Sequence, residues 1–301
     1  MNRLVRVVLA ALICLSLAIL SGAPAAHASP RVECRSAPSK LLGRKVPFCV
    51  LLPPSYDSDK ARRYPVVYFL HGLGQNEQAM IDSGGWNLTQ DMWEQTQIGE
   101  FLIVAPDGDR SFFIDSRDGK RPYEDFLVEE FLPFIEAHYR TKEGRHNRGI
   151  AGVSMGGYGA LHLALRHPDI FSVVSANSAA LISNPPQGKV DSDSAAAISR
   201  ALGGAFGTPF DRAFWDRNSP FTLVRNGAPT ENLKIYFDCG TEDDFGFNRG
   251  AQEFHDLLAS RHIPHEFHLY PGGHDINYFA EHLPESLEFQ SNALGAAPAP
   301  K

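Results

Sequence analysis

Three side chains far apart in the sequence are of the types that together make a hydroxyl reactive. Ser154 lies in Gly152-Val153-Ser154-Met155-Gly156, a G-x-S-x-G pentapeptide. A serine hydroxyl is a poor nucleophile at neutral pH. It needs a base to take its proton, and the base needs an acid to fix its tautomer. His274, in Tyr270-Pro271-Gly272-Gly273-His274-Asp275, is the candidate base, and its paired glycines let a short loop bend back toward the serine. The acid is sought in Asp238-Cys239-Gly240-Thr241-Glu242-Asp243-Asp244-Phe245. Asp243 is the expected acid, with Asp244 the next candidate and Asp238 behind it. Asp243 and Asp244 cannot both aim at one imidazole, because successive side chains diverge. The order serine, acid, histidine is that of proteins whose nucleophile stands on a strand-to-helix elbow. The chemistry implied is attack on a carbonyl carbon.

Such a serine must be positioned by a strand, a sharp turn and a helix. Gly149 to Val153 is a short apolar run, and Ala160 to His167 has helical spacing. A side chain on either flanking glycine would collide with the neighbouring strand or helix once the serine is forced into a strained conformation. The next N–H, that of Met155, then points to where an oxyanion would form. The other donor is expected from Leu73 in His71-Gly72-Leu73-Gly74, because the loop after this strand supplies it in the same topology.

The remaining elements are read in order. Val32 to Ser36 and Lys45 to Leu52 form an opening hairpin. Tyr64 to Leu70, Phe101 to Ala105, Ile150 to Val153, Phe171 to Ala176, Leu233 to Phe237 and Glu266 to Tyr270 read as strands. Tyr123 to Tyr139, Gln252 to Ser260 and Asp275 to Gln290 read as helices, the last kinked or split by Pro284. Alternating strands and helices predict an α/β fold: a mostly parallel central sheet with helices on both faces. The site is then expected at the carboxyl ends of the strands. Residues 181–228 form a Gly/Pro/Ser-rich insertion where a cap could cover it. A floppy surface loop is the alternative.

Residues 1–28 are expected to be a secretory signal: Arg3 and Arg6, an apolar run from Val7 to Leu20, then Ala26-His27-Ala28. An extracytoplasmic protein is therefore expected, with no stable membrane insertion after cleavage. The main domain is expected over residues 29–290, and the Ala/Pro-rich 291–301 as a disordered tail. The net charge of −7 argues against nucleic acid as a partner. Cys34 and Cys49 flank a turn and are expected to bridge across two antiparallel strands, with two unpaired thiols as the alternative. Cys239 is read as an inert core thiol.

Other constellations carry less. His262, His265 and His268 resemble a metal cluster, but His265 and His268 should face opposite sides of a strand. Trp86, Trp93, Phe112 and Phe113 are candidates for an acyl or sugar pocket or for the core. Arg110 is a candidate carboxylate contact or a surface charge.

His71-Gly-Leu-Gly, Gly152-Val-Ser-Met-Gly-Gly-Tyr-Gly-Ala-Leu161, Cys239-Gly-Thr-Glu-Asp243 and Gly272-Gly-His-Asp275 resemble the esterase-D-like esterase family. That family includes S-formylglutathione hydrolases, short-chain carboxylesterases, feruloyl and acetyl-xylan esterases, and mycolyltransferases. The resemblance covers residues 45 to 290 and implies an α/β-hydrolase fold. It implies Ser154 as nucleophile, Asp243 as acid, His274 as base, and Leu73 and Met155 as oxyanion donors, with no metal or organic cofactor. The implied substrate is a small-molecule or carbohydrate ester. The segment after Leu73 departs from the glutathione-specific members, which implies another leaving group.

Overall fold

In the computed structural model, residues 30–185 and 193–298 are described. The expected signal, residues 1–28, lies outside them. Eight strands form one sheet in the order β1-β2-β4-β3-β5-β6-β7-β8. β1 (Arg31–Ser39) and β2 (Arg44–Leu52) are the opening hairpin, and β2 runs antiparallel to β4 (Leu102–Pro106). β4, β3 (Val66–Leu70), β5 (Arg148–Val153), β6 (Val173–Asn177), β7 (Lys234–Gly240) and β8 (Glu266–Tyr270) are mutually parallel. Cys34 and Cys49 stand directly opposite each other in the hairpin and are disulfide-bonded.

The central strands are buried on both faces, which is why they read as unbroken apolar runs. Along β3, Val66, Tyr68 and Leu70 enter one core cluster while Val67 and Phe69 enter the other. The second cluster is closed by α1 (Gly85–Glu94) and, later in the chain, by the long helix α8 (Ile276–Ala293). The first takes α2 (Leu132–His138) and α3 (Met155–Arg166), the helix that follows the candidate nucleophile.

The helix expected over Tyr123–Tyr139 is one uninterrupted helical run, Tyr123–His138, whose winding changes along its length. Tyr123–Asp125 is α-helical, Phe126–Phe131 is a π-helical turn, and α2 follows with Pro133 in its first turn. Proline has no N–H to donate and its ring crowds the preceding turn, so the backbone widens there instead of continuing. Pro284, by contrast, lies inside α8 without ending it.

The insertion after β6 carries three helices: α4 (Asp193–Phe206), α5 (Arg212–Asn218) and α6 (Pro220–Arg225). Phe206 and Trp215 are fully buried against Tyr158 of α3. That anchoring replaces the floppy-loop alternative for 193–225. α7 (Phe247–Ser260) packs beside β7.

The tail expected to be disordered from Ser291 is structured through Pro298. α8 continues to Ala293, and the Glu100 N–H donates to the Ala297 carbonyl at 2.9 Å. The Arg62 guanidinium donates to the carbonyls of Ala297 and Pro298. Gly99 makes this docking possible, since a Cβ there would sit 2.0 Å from the Ala296 oxygen. Among the described residues, no helix is long and apolar enough to cross a membrane.

Candidate active site

Ser154 sits between β5 and α3 with φ 54° and ψ −115°, a backbone conformation that a side chain adopts only under strain. Main-chain bonds hold it there. Its N–H donates to Asn177 O at 3.0 Å, and its carbonyl accepts from Tyr158 N–H and Ala180 N–H at 3.1 and 3.0 Å. The glycines on either side are required by contact. A Cβ on Gly152 would lie 2.4 Å from the Gly156 backbone, and one on Gly156 would lie 2.0 Å from the Leu70 carbonyl of β3.

His274 comes from the loop after β8. That loop is knitted to the loop after β7 by Thr241 N–H to Tyr270 O at 2.8 Å and Glu242 N–H to Gly272 O at 2.9 Å. Gly240 permits the approach, since a Cβ there would meet the Gly272 oxygen at 2.3 Å. The result brings together the three separated side chains. His274 Nδ1 lies 2.7 Å from Asp243 Oδ2, and His274 Nε2 lies 2.9 Å from Ser154 Oγ.

Asp243 is buried, with a fully buried side chain. Burial works against its ionisation. The bond to His274 and the Phe247 and Phe245 N–H groups on Oδ1 outweigh it and hold the carboxyl below its ordinary range. An ionised Asp243 accepts a hydrogen bond from Nδ1–H, so the Nε2 lone pair faces the serine hydroxyl.

The other two carboxylates have different neighbours. Asp244 is exposed. Asp238 is fully buried, accepts from Tyr278 Oη at 2.7 Å and from Asn177 Nδ2 at 2.6 Å, and does not reach His274. Burial pushes its pKa up to about 7, against the pull of those hydrogen bonds.

Leu73 and Met155 line the same cavity as Ser154 and His274. Met155 opens α3, where the first N–H groups have no partner within the helix. The Leu73 loop is braced on both sides. His71 is fully buried, its Nε2 accepts from Gly108 N–H at 2.8 Å, and its Nδ1 meets Gly72 O at 2.8 Å. Gly72 N–H in turn donates to Gln75 Oε1 at 2.9 Å. The bracing by His71 and Gln75 was not legible in the sequence, although His71 belongs to the motif.

The cavity, about 250 Å³, is walled by Phe112, Ala180, Ile182, Leu202 and Phe247. Leu202 places the inserted α4 over the site. Three rings meet the His274 imidazole edge-on: Phe245 at 5.0 Å, Phe247 at 5.4 Å and Phe279 at 5.4 Å. Sequence reasoning missed all three, and only their closeness to Asp243 and His274 in the chain signals them.

Of the aromatic candidates, Phe112 serves both cavity and core. Phe113 and Trp93 are core residues, and Trp86 packs against the core. Arg110 is exposed. His265 bonds His255 at 2.8 Å and stacks on Phe237, whereas His268 stacks on Tyr270 and lies near Tyr236, so the two histidines face opposite sides of β8. Cys239 is buried, and burial raises its thiol pKa well above the ordinary range.

A serine at a strained elbow, a histidine after the last strand and a carboxylate after the strand before it, on a mostly parallel sheet, define the α/β-hydrolase class. Within that class the chain belongs to the esterase family described as "Putative esterase", whose model matches residues 39–289. It is 31% identical over 244 residues to Esterase Rv1288 of Mycobacterium tuberculosis, covering 75% of this chain and 51% of that protein. The chain thus spans about half the length of that relative. It is 28% identical over 305 residues to the diacylglycerol acyltransferase/mycolyltransferase Ag85B of Mycobacterium avium, covering 92% of this chain and 86% of that protein. A solved ferulic acid esterase superposes with a TM-score of 0.74 at 28% identity, covering 88% of this chain and 99% of the other.

Proposed function

We propose that the protein is a secreted serine carboxylesterase that hydrolyses short-chain or carbohydrate-linked esters through an acyl-enzyme on Ser154. The carrying observation is the unbroken relay from Asp243 through His274 to Ser154, at 2.7 and 2.9 Å. Ser154 Oγ attacks the ester carbonyl carbon while His274 Nε2 takes its proton. The N–H groups of Leu73 and Met155 stabilise the oxyanion, a contribution of about 3 kcal/mol for each donor. His274 then passes the proton to the departing alcohol, and water attacks the acyl-serine by the same route in reverse. Asp243 holds the His274 tautomer throughout. Membership of an esterase family and similarity to a ferulic acid esterase support this chemistry. The Cys34–Cys49 disulfide suits an oxidising compartment, in keeping with the expected signal.

The similarity to Ag85B favours a second reading, in which a sugar or glyceride hydroxyl replaces water as acceptor. One experiment addresses both. Ser154→Ala should lower kcat for p-nitrophenyl butyrate by about 10⁴-fold or more and abolish fluorophosphonate labelling, with the melting curve unchanged. Turnover within tenfold of wild type would remove Ser154 from the reaction. Product analysis with and without a sugar acceptor divides hydrolysis from transfer.

A further inference from the structure

The reaction proposed above uses one side of His274. Behind Phe279, whose ring meets the His274 imidazole, lies a second, mainly apolar cavity of about 310 Å³, between α1 and the first turns of α8. Its walls include Met80, Leu88, Val153, Phe279, Ala280 and Leu283. It shares no lining residue with the first cavity, yet it is built from the neighbours of the reacting groups. Val153 immediately precedes Ser154. Phe279 has its ring 5.4 Å from that of His274. Gln75, the brace of Gly72, completes the border on the side of the oxyanion loop.

The surface around His274 repeats this pattern. Among the described residues, four large apolar side chains are exposed: Leu41, Phe245, Leu269 and Ile276. Phe245 lines the first cavity and Ile276 the second. Scattered singly, such residues mean little. Here Phe245 meets the His274 imidazole and Ile276 follows it by two residues, each lining an apolar cavity.

The direction of proton transfer assigns the cavities. The carbonyl oxygen must face Leu73 and Met155, which line the first cavity together with Ser154. As the Ser154 Oγ–carbon bond forms and the ester C–O bond breaks, the proton taken by His274 Nε2 goes to the alcohol oxygen. The alcohol therefore departs beside the His274 imidazole, which the Phe279 ring meets edge-on at the border of the second cavity. We infer that the second cavity is the binding site for the alcohol half of the ester, and that this alcohol is an apolar alkyl or aryl group. Its volume, at the lower end of the range of about 300–1,000 Å³ for small-ligand pockets, suits one such group. The inference rests on the proposed ester hydrolysis and narrows its substrate: a carbohydrate alcohol would meet mostly apolar walls, with only the side chains of Gln75, Ser83 and Asn177 to match its hydroxyls.

The test holds the acyl group at acetyl and lengthens the alcohol from ethyl to hexyl. These alcohols have nearly the same acidity, so a change in kcat/KM, which covers the acylation step, reports binding of the alcohol. Full burial is worth about fourfold per methylene, so a rise of about tenfold or more is expected across the series. Ala280→Phe fills the cavity from α8. It should flatten that rise, bringing the hexyl-to-ethyl ratio of kcat/KM toward one, while the dependence of kcat/KM on acyl length keeps its wild-type shape. A measurement without any variant stands beside it: 1-hexanol should inhibit the wild-type enzyme competitively, and glycerol should not. A flat wild-type series, a preference for a glycosyl acetate over hexyl acetate, or equal losses for ethyl and hexyl acetate in Ala280→Phe would overturn the assignment. Those outcomes are distinct from failure of the proposed reaction, which would appear as esterase activity surviving Ser154→Ala.

Discussion

At the scale of single residues, the carboxylate on His274 is chosen by what its second oxygen finds. Asp243 Oδ2 meets the imidazole while Oδ1 accepts from the Phe245 and Phe247 N–H groups. An amide cannot serve both sides. In Asp243→Asn, either an NH₂ opposes the backbone donors or it faces Nδ1 and forces the proton onto Nε2, toward the serine. On the proposed mechanism kcat should fall about 10⁴-fold, with the fold retained, because the base then presents the wrong tautomer. Steady-state turnover and fluorophosphonate labelling rate both measure this, and losses under tenfold would show that His274 needs no carboxylate. The choice of Asp243 over its neighbours was legible, since three residues beyond Gly240 the chain is already turning back over the strand end. The ring wall around His274 was not, because Phe245, Phe247 and Phe279 reach it from two segments whose approach depends on the Gly240–Gly272 contact.

At the scale of elements, the elbow works because a strand and a helix come closer than side chains allow. The Leu70 carbonyl belongs to β3 and cannot move without breaking its ladder to β5. Gly156→Ala, with its Cβ 2.0 Å from that oxygen, should therefore destabilise by about 3 kcal/mol and displace Met155 N–H from the oxyanion position proposed for it. Gly74→Ala is the contrast. Its φ is +84° with open space around the added carbon, so only the conformational strain of about 1 kcal/mol remains. Denaturant midpoints for the pair measure the difference, and equal losses would mean that the approach of β3 to α3 is not tight. Element legibility followed the same logic. The central strands, buried on both faces, announce themselves as apolar runs, whereas β1 and β8 are partly exposed and were readable without that signal. The π-helical widening within Tyr123–Tyr139, just before Pro133, turned on one missing N–H within a correctly read helical period. The docking of the tail turned on Gly99, nearly two hundred residues away in sequence, which no local pattern could reveal.

At the scale of the whole molecule, the inserted helices are tied to α3, the helix that follows Ser154, by a buried ionic cluster. The Asn218 carbonyl, at the end of α5, accepts from Tyr158 Oη at 2.9 Å and faces His162 Nδ1 at 2.8 Å. His162 Nε2 and His167 Nε2 each lie 2.8 Å from Glu124, and Arg166 lies 3.4 Å from it. Burial opposes the charge on Glu124, but the bonds from His162 and His167 prevail and hold its carboxyl well below the ordinary 4.5. A carboxylate depressed in the folded state contributes stability that is fully present above its unfolded value and is lost as pH falls through the folded one. Glu124→Gln should therefore cost about 3 kcal/mol near neutral pH, and the gap to wild type should close as the pH drops below 4.5. Because Leu202 roofs the acyl cavity from the same insertion, loosening this clamp should raise KM for long acyl esters more than for acetates. Melting temperature against pH, read beside the acyl-length profile, tests both consequences. A gap independent of pH would mean that Glu124 acts by packing alone, and an unchanged acyl profile would separate the insertion from substrate binding.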